Sequence, residues 1–258
     1  MTINIPDSHP RASSLKRREI LIEACQQQVV AHAGLIAHGR GEAFDYLIGE
    51  KTPGVSLAAI KVAVAKLITA KWPVLSVNGN VAALCPGEIV QLAEITGSRI
   101  EVNLFYRTTE REQAIKKVLE EAGAKEILGV NHEQTRQILE LQSERRIVDI
   151  NGIYKADVVL VPLEDGDRTE SLVKMGKYVI AIDLNPLSRT SRRANLTIVD
   201  DVERALEVMY LWAREYRNQD PKILENMCNS FNNNKNLEEV LNFMSTRLTE
   251  LAGEYKLV

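Results

Sequence analysis

Guanidinium groups and hydroxyls crowd together in DLNPLSRTSRR, which runs from Asp183, Leu184 and Asn185 through Ser188, Arg189 and Thr190 to Arg193. An arginine fork donates two parallel bonds to a phosphate, and Ser or Thr hydroxyls take the remaining oxygens. A basic surface face is the plainer reading of the same letters. HGRGE sets two glycines beside Arg40 and His38, which lets backbone approach an anion closely. His38 reads equally as a packed or capped histidine. In LEDGDRTE, the acids Glu164, Asp165 and Asp167 stand with Arg168 ahead of a helix. A solvated turn has this composition. So does a Mg2+–phosphate site, because Mg2+ takes one or two carboxylates plus phosphate oxygens. Asn78, Gly79 and Asn80 read as a simple turn or as a ligand loop. Tyr106 and Arg107, ahead of Thr108 and Thr109, read as a capped helix start or as the edge of a pocket.

HGRGE aside, each of these strings follows a short run rich in β-branched or aliphatic residues: PVLSV, RIEVNLF, ADVVLVP and YVIAIDL, with LTIVD as a fifth. Helix-like segments (PGEIVQLAEITG, TTEREQAIKKVLEEAG, DRTESLVKMG) lie between them. The alternation predicts βαβ units and a mostly parallel sheet, so the class is α/β. In such sheets ligands bind beyond the C-terminal strand ends, where the polar strings fall.

Helices flank that core. The first is expected from a cap at Ser13 or Ser14 to near Gly34, followed by a glycine-punctuated segment, LIAHGRGEAFDYLIGE. An alanine-rich helix follows, with Leu57, Ile60, Val64 and Leu67 on one stripe, apolar enough all round to be buried. Residues 131–147 are polar and read as a surface helix and loop. Near the C-terminus, Val202, Ala205, Leu206, Met209 and Ala213 form one apolar face. Leu237, Val240, Leu241, Met244, Leu248 and Leu251 form a second, with FNNNKN between as a turn or hinge. One α/β domain is the simplest account: helices over 1–72, the sheet over 73–200 and helices over 201–258.

Composition narrows the chemistry. The chain has 258 residues, 45% hydrophobic and 26% charged, with 32 basic against 35 acidic side chains and a net charge of -3. That argues against a nucleic-acid coat, whose binding is largely phosphate neutralisation. At 5% aromatic it also lacks a base-stacking platform. Cys25, Cys85 and Cys228 have no paired spacing and read as reduced thiols of a cytoplasmic protein. His9, His32, His38 and His132 lack metal-ligand spacing, so metal ligands are not assigned. Neither a signal peptide nor a membrane span is expected. A P-loop, a G-x-G-x-x-G after a strand and a G-x-S-x-G elbow are all absent.

Six longer strings stand in order: NIPDSHPR, AGLIAHGRGEAFDYLIGE, PVLSVNGNVAAL, NLFYRT, ADVVLVPLEDGDRTESLVKMGK and AIDLNPLSRTSRRANLTIVD. Together they closely resemble the archaeal phosphopantothenate synthetase (4-phosphopantoate–β-alanine ligase) family, essentially end to end. The resemblance implies a homodimer with a Rossmann-like parallel sheet. It also implies that 4-phosphopantoate and β-alanine are joined with ATP, giving 4-phosphopantothenate, AMP and pyrophosphate for coenzyme A synthesis. A carboxylate does not acylate an amine unless activated, so an acyl adenylate is expected, with Mg2+ sharing the phosphate charge.

By the same resemblance Arg18, Arg40, Asp183, Leu184, Asn185, Arg189 and Thr190 hold ATP, and Asp200 and Asp201 approach its adenosine. Loop position assigns Asn78, Gly79, Asn80, Tyr106 and Arg107 to phosphopantoate. Glu164, Asp165, Asp167 and Arg168 are left for metal or β-alanine, and His38 or a carboxylate takes the amine proton. Two other classes compete: a dinucleotide oxidoreductase, disfavoured by the missing glycine fingerprint, and a phosphometabolite-binding regulator without turnover.

Overall fold

A computed structural model describes residues 6–9 and 11–255; Asn4, Ile5 and Pro10 of the NIPDSHPR string lie outside them. Three helices open the chain: α1 (Ala12–Gln26), α2 (His32–Ile48) and α3 (Gly54–Thr69). Then come β1 (Pro73–Val77), α4 (Gly79–Leu84), α5 (Pro86–Thr96), β2 (Arg99–Val102), α6 (Thr109–Glu121) and β3 (Ile127–Leu128). A short antiparallel pair, β4 (Thr135–Gln137) with β5 (Ile147–Asp149), interrupts the alternation. β6 (Val158–Pro162), α7 (Gly166–Lys174), β7 (Tyr178–Ile182), α8 (Arg189–Arg193) and β8 (Leu196–Ile198) complete the main sheet. The chain continues through α9 (Val202–Tyr216), α10 (Pro221–Asn229) and α11 (Asn233–Glu254).

The six-stranded sheet runs β3-β2-β1-β6-β7-β8, every pair parallel. Strand order reverses between β1 and β6, and there the loops leave in opposite directions and open a crevice. β1 and β6 are buried along their whole length, which is why their sequences are continuous apolar runs rather than alternations. On one face of the sheet α3, α5 and α9 close the larger core, with Ile60, Val64 and Leu67 of α3 against Leu206 and Met209 of α9 among its members. On the other face Ile138, Leu141 and Val148 of the β4–β5 region pack with Val159 and Leu172.

Four expectations need correction. The first helix stops at Gln26: Gln28 turns left-handed at φ 62°, and the amides of Val29 and Val30 fold back onto the Ala24 carbonyl. Its start has no side-chain cap, and Ser14 instead bonds Glu42. The glycine-punctuated segment is helical, so Gly39 and Gly41 lie inside α2, where amides are already donated four residues back. HGRGE is therefore not an anion-cradling loop. Residues 131–147 are the β4–β5 pair with two short 3-10 turns, not a surface helix. FNNNKN is no hinge either. Asn232 caps α11, Asn233 Nδ2 bonds the carbonyls of Ser191 and Ala194, and Asn236 Nδ2 bonds that of Thr197, which pins α11 to the sheet.

Candidate functional site

Asn78 is the keystone of the crevice. Its Oδ1 accepts from the Val81 amide (3.1 Å) and so caps α4, while Nδ2 donates to the carbonyls of Pro162 (2.9 Å) and Leu163 (3.2 Å). One buried amide thus ties the end of β1 to the end of β6 at the point of strand reversal. Leu163 itself sits at φ 52°, a left-handed conformation that a leucine adopts only under constraint from its surroundings. Gly79 permits a close approach. A Cβ there would overlap the carbonyl oxygen of Val29, so the α1–α2 loop rests directly on the start of α4.

Two cavities meet around α2. The larger, about 580 Å³, is lined by Asn78, Gly79, Asn80 and Tyr106 from the β1 and β2 ends. Glu164, Asp165, Asp183, Leu184 and Asn185 line it from the β6 and β7 ends, and Arg189 and Thr190 from the start of α8. His38 and Arg40 of α2 form the facing wall. The smaller, about 270 Å³, holds Arg17, His38, Glu42, Asp201 and Arg204. Leu163, His38 and Leu184 line both.

Each carboxylate here has a distinct environment. Burial pushes the Asp183 carboxyl up, and bonds from Ser188 Oγ (2.5 Å) and the Asn185 amide (2.9 Å) pull it back. Burial also raises Asp165, with Arg145 opposing. Glu164 is held by both Arg145 and Arg168. His38 is pushed below its ordinary 6.5, chiefly by burial, with Glu42 and Asp201 opposing, so it is a neutral imidazole at pH 7. Arg40 makes no salt bridge or hydrogen bond among the described residues; it lines the larger cavity, where its charge opposes the burial-driven rise of Asp183.

Not every residue singled out in the sequence reaches the cleft. Arg168 is fully buried behind it, bonding Glu164 and, at 3.2 Å, Ser76. It can orient Glu164 but cannot touch a ligand. Arg107 is 4% exposed, paired with the fully buried Glu112 and donating to the carbonyls of Gly129 and Ile147. A buried carboxylate requires a cation, and Arg107 is consumed there. Asp167 is exposed on α7, away from the cavity lining. Arg18 pairs with Glu42 at 2.7 Å, whereas its neighbour Arg17 faces the smaller cavity. Asp200 is buried beneath that cavity, bonded to Thr52 and Arg204, while Asp201 lines it and caps α9.

Four cavity arginines escaped notice in the sequence, Arg17 and Arg204 of the smaller cavity and two of the larger. Arg111 and Arg145 both line the larger cavity. Arg111 stood in view within the helix start TTEREQ, read there only as part of a capped first turn, and Arg145 lay in the polar stretch with no recognisable pattern.

Among the described residues, no group of three or more His, Cys, Asp or Glu side chains is placed to hold a metal. The larger cavity does offer Asp165 and Asp183. That donor set fits a Mg2+ arriving on phosphate oxygens and does not fit a resident ion caged by protein alone.

Residues 55–247 match the family model described as phosphopantothenate/pantothenate synthetase. The chain belongs to this family. As a family member it is similar to the 4-phosphopantoate–β-alanine ligase of Thermococcus kodakarensis, at 53% identity over 98% of this chain and 96% of that one. The ligase of the same name from Thermococcus onnurineus is 53% identical over 97% and 95%. That of Methanosarcina mazei is 49% identical over 97% and 98%. The family match begins after α2, so it contains the β1, β6 and β7 ends but not His38 or Arg40. The full-length relatives cover α2 as well.

Proposed function

We propose that this chain joins 4-phosphopantoate to β-alanine with ATP, through an acyl adenylate, releasing AMP and pyrophosphate. The observation that carries the reading is the convergence of Arg40, Arg189 and Thr190 with Asn78, Asn80, Tyr106 and Asp165 on one cavity. A nucleotide and a small phosphorylated acid both need cationic donors, and this cleft supplies them from opposite walls.

In this reading the triphosphate lies along α2 and the start of α8, with Arg40 and Arg189 on its oxygens and Thr190 at their side. The adenosine extends toward Asp201 in the smaller cavity. Asp183 and the turn at Leu184 and Asn185 shape the passage between the two. The pantoate carboxylate attacks the α-phosphorus and pyrophosphate leaves; arginine side chains fixed beforehand stabilise the charge that develops. Mg2+, carried by the phosphates and met by Asp165 or Asp183, supplies further charge neutralisation. The β-alanine amine then attacks as the free base. His38, neutral at pH 7 and shared by both cavities, accepts its proton, with Asp165 the competing carboxylate.

A homodimer belongs to this reading. Leu241 and Leu248 continue the apolar row of α11 yet are 38% and 46% exposed on a single chain, a face that a second copy would cover. The three cysteines are free, which suits the reducing cytoplasm. Among the described residues no helix is long and apolar enough to cross a membrane.

The test mixes protein, ATP, Mg2+ and 4-phosphopantoate with and without β-alanine and identifies the nucleotide product. AMP and pyrophosphate that depend on both acids support the mechanism. ADP and inorganic phosphate would redirect it to an acyl phosphate, and no nucleotide turnover by folded protein would overturn it.

A further inference from the structure

Membership of a family described by both phosphopantothenate and pantothenate synthetase leaves open how this cleft tells a phosphorylated acid from the free one. We infer that Arg145 makes that choice, by presenting a fixed guanidinium to the phosphate of the incoming acid. The inference rests on the proposed reading of the cleft as a phosphopantoate site and names the residue on which its substrate class depends.

Four arginines line the larger cavity: Arg40, Arg111, Arg145 and Arg189. Arg40 and Arg189 stand with α2 and α8, where the nucleotide is placed. Arg111 is already committed, since its Nε, Nη1 and Nη2 donate to the carbonyls of Gln28, Tyr106 and Val29. Arg145 remains. It enters from the β4–β5 excursion, with its backbone held at the end of β2 by Asn103 and its side chain reaching Glu164 and Asp165 beyond β6.

Its mounting is rigid. Asn103, fully buried at the end of β2, donates through Nδ2 to the carbonyls of Arg145 (3.3 Å) and Ile147 (3.0 Å). Arg107 Nη1 adds a bond to the Ile147 carbonyl (3.0 Å). The Arg145 side chain is 8% exposed, so its charge is largely desolvated.

Its donors are only partly used. Nη1 bonds Glu164, but Nε stands 3.1 Å from Asp165 Oδ2 without hydrogen-bond alignment, and Nη2 has no partner among the described residues. Glu164 is simultaneously paired with the fully buried Arg168, so Arg145 is not needed to neutralise it. A buried arginine with unused donors over a cavity is poised for a dianion. A neutral hydroxyl in the same place would meet it without charge and leave most of that binding unrealised.

The experiment compares wild type, Arg145→Ala and Arg145→Lys, with 4-phosphopantoate and with unphosphorylated pantoate. Charge-assisted bonds of this kind predict that Arg145→Ala raises KM for 4-phosphopantoate by about 10- to 100-fold. The preference for the phosphorylated acid falls by a similar factor, and KM for ATP moves much less. Arg145→Lys, with charge but no fork, falls between. Calorimetric titration of 4-phosphopantoate without ATP should show the same loss of affinity. Arg145-dependent binding without turnover would support the inference while sinking the ligase reading. Wild-type turnover with the preference intact in Arg145→Ala would overturn the inference alone. Should the alanine variant not fold, an Arg145→Lys protein with wild-type preference and affinity would overturn it equally.

Discussion

Asn78 Nδ2 donates to the Pro162 carbonyl at 2.9 Å and so bridges β1 and β6 where the strand order reverses. The same side chain caps α4 and holds the left-handed Leu163. Asn78→Ala deletes a cap and two buried bonds, and should lower unfolding free energy by about 2–3 kcal/mol. Urea denaturation measures this. Asn78→Asp keeps the cap acceptor but loses both donations, so it should fall short of wild type as well.

Two glycines give opposite expectations. A Cβ at Gly79 would overlap the Val29 carbonyl, whereas nothing lies within 4 Å of one at Gly39. Gly79→Ala should destabilise by about 1–3 kcal/mol through overpacking and impair turnover. Gly39→Ala, in the interior of α2, should stabilise by about 0.5–1 kcal/mol with activity kept. Loss of activity in Gly39→Ala would restore the idea that this glycine serves backbone–anion contact.

Arg40 has no partner among the described residues, and Arg189 pairs at the surface with Glu170 (2.5 Å). Removing either should leave thermal unfolding nearly unchanged, since exposed pairs contribute little. Turnover should fall by about 100-fold or more in each, as expected when a donor to developing phosphate charge is lost. Near-normal rates in both would place the nucleotide elsewhere.

Burial holds His38 below its ordinary 6.5. As the acceptor of the amine proton it should stay active below pH 6.5, with the rate falling only on further acidification as the imidazole protonates. His38→Gln should remove that acidic limb. The linkage to stability has the same direction: below pH 6.5 the unfolded chain binds the proton more readily than the folded one, so this histidine weakens the fold as pH falls.

Glu101 behaves oppositely. It is fully buried in β2 and accepts the amides of Asp149 and Ile153, and burial raises it from 4.5 to about 7. Between those values the folded protein holds a proton that the unfolded chain has released. Stability should therefore decline as pH rises from 4.5 to about 7 and level off above. Comparing pH-dependent unfolding of wild type and Glu101→Gln isolates the slope.

The sequence by itself determined five of the six strands of the main sheet and the parallel α/β class, because buried parallel strands are continuous apolar runs; the two-residue β3 and the short β4–β5 pair carry no such run. Residue type alone also singled out Asp183 to Thr190, and the fold brings that stretch to the larger cavity. What it could not separate were arginines of identical chemistry. Arg40, Arg107, Arg145 and Arg168 differ only in what surrounds them. Arg107 and Arg168 are enclosed with Glu112 and Glu164 outside the cavity lining, Arg40 lines the cavity unpaired among the described residues, and Arg145 lines it while bonded to Glu164; partners distant in sequence decide which. The helical state of HGRGE was likewise set by tertiary structure: packing of α2 over the crevice outweighs the weak helix preference of its two glycines. Charge and type were local facts; burial and partnership belonged to the fold.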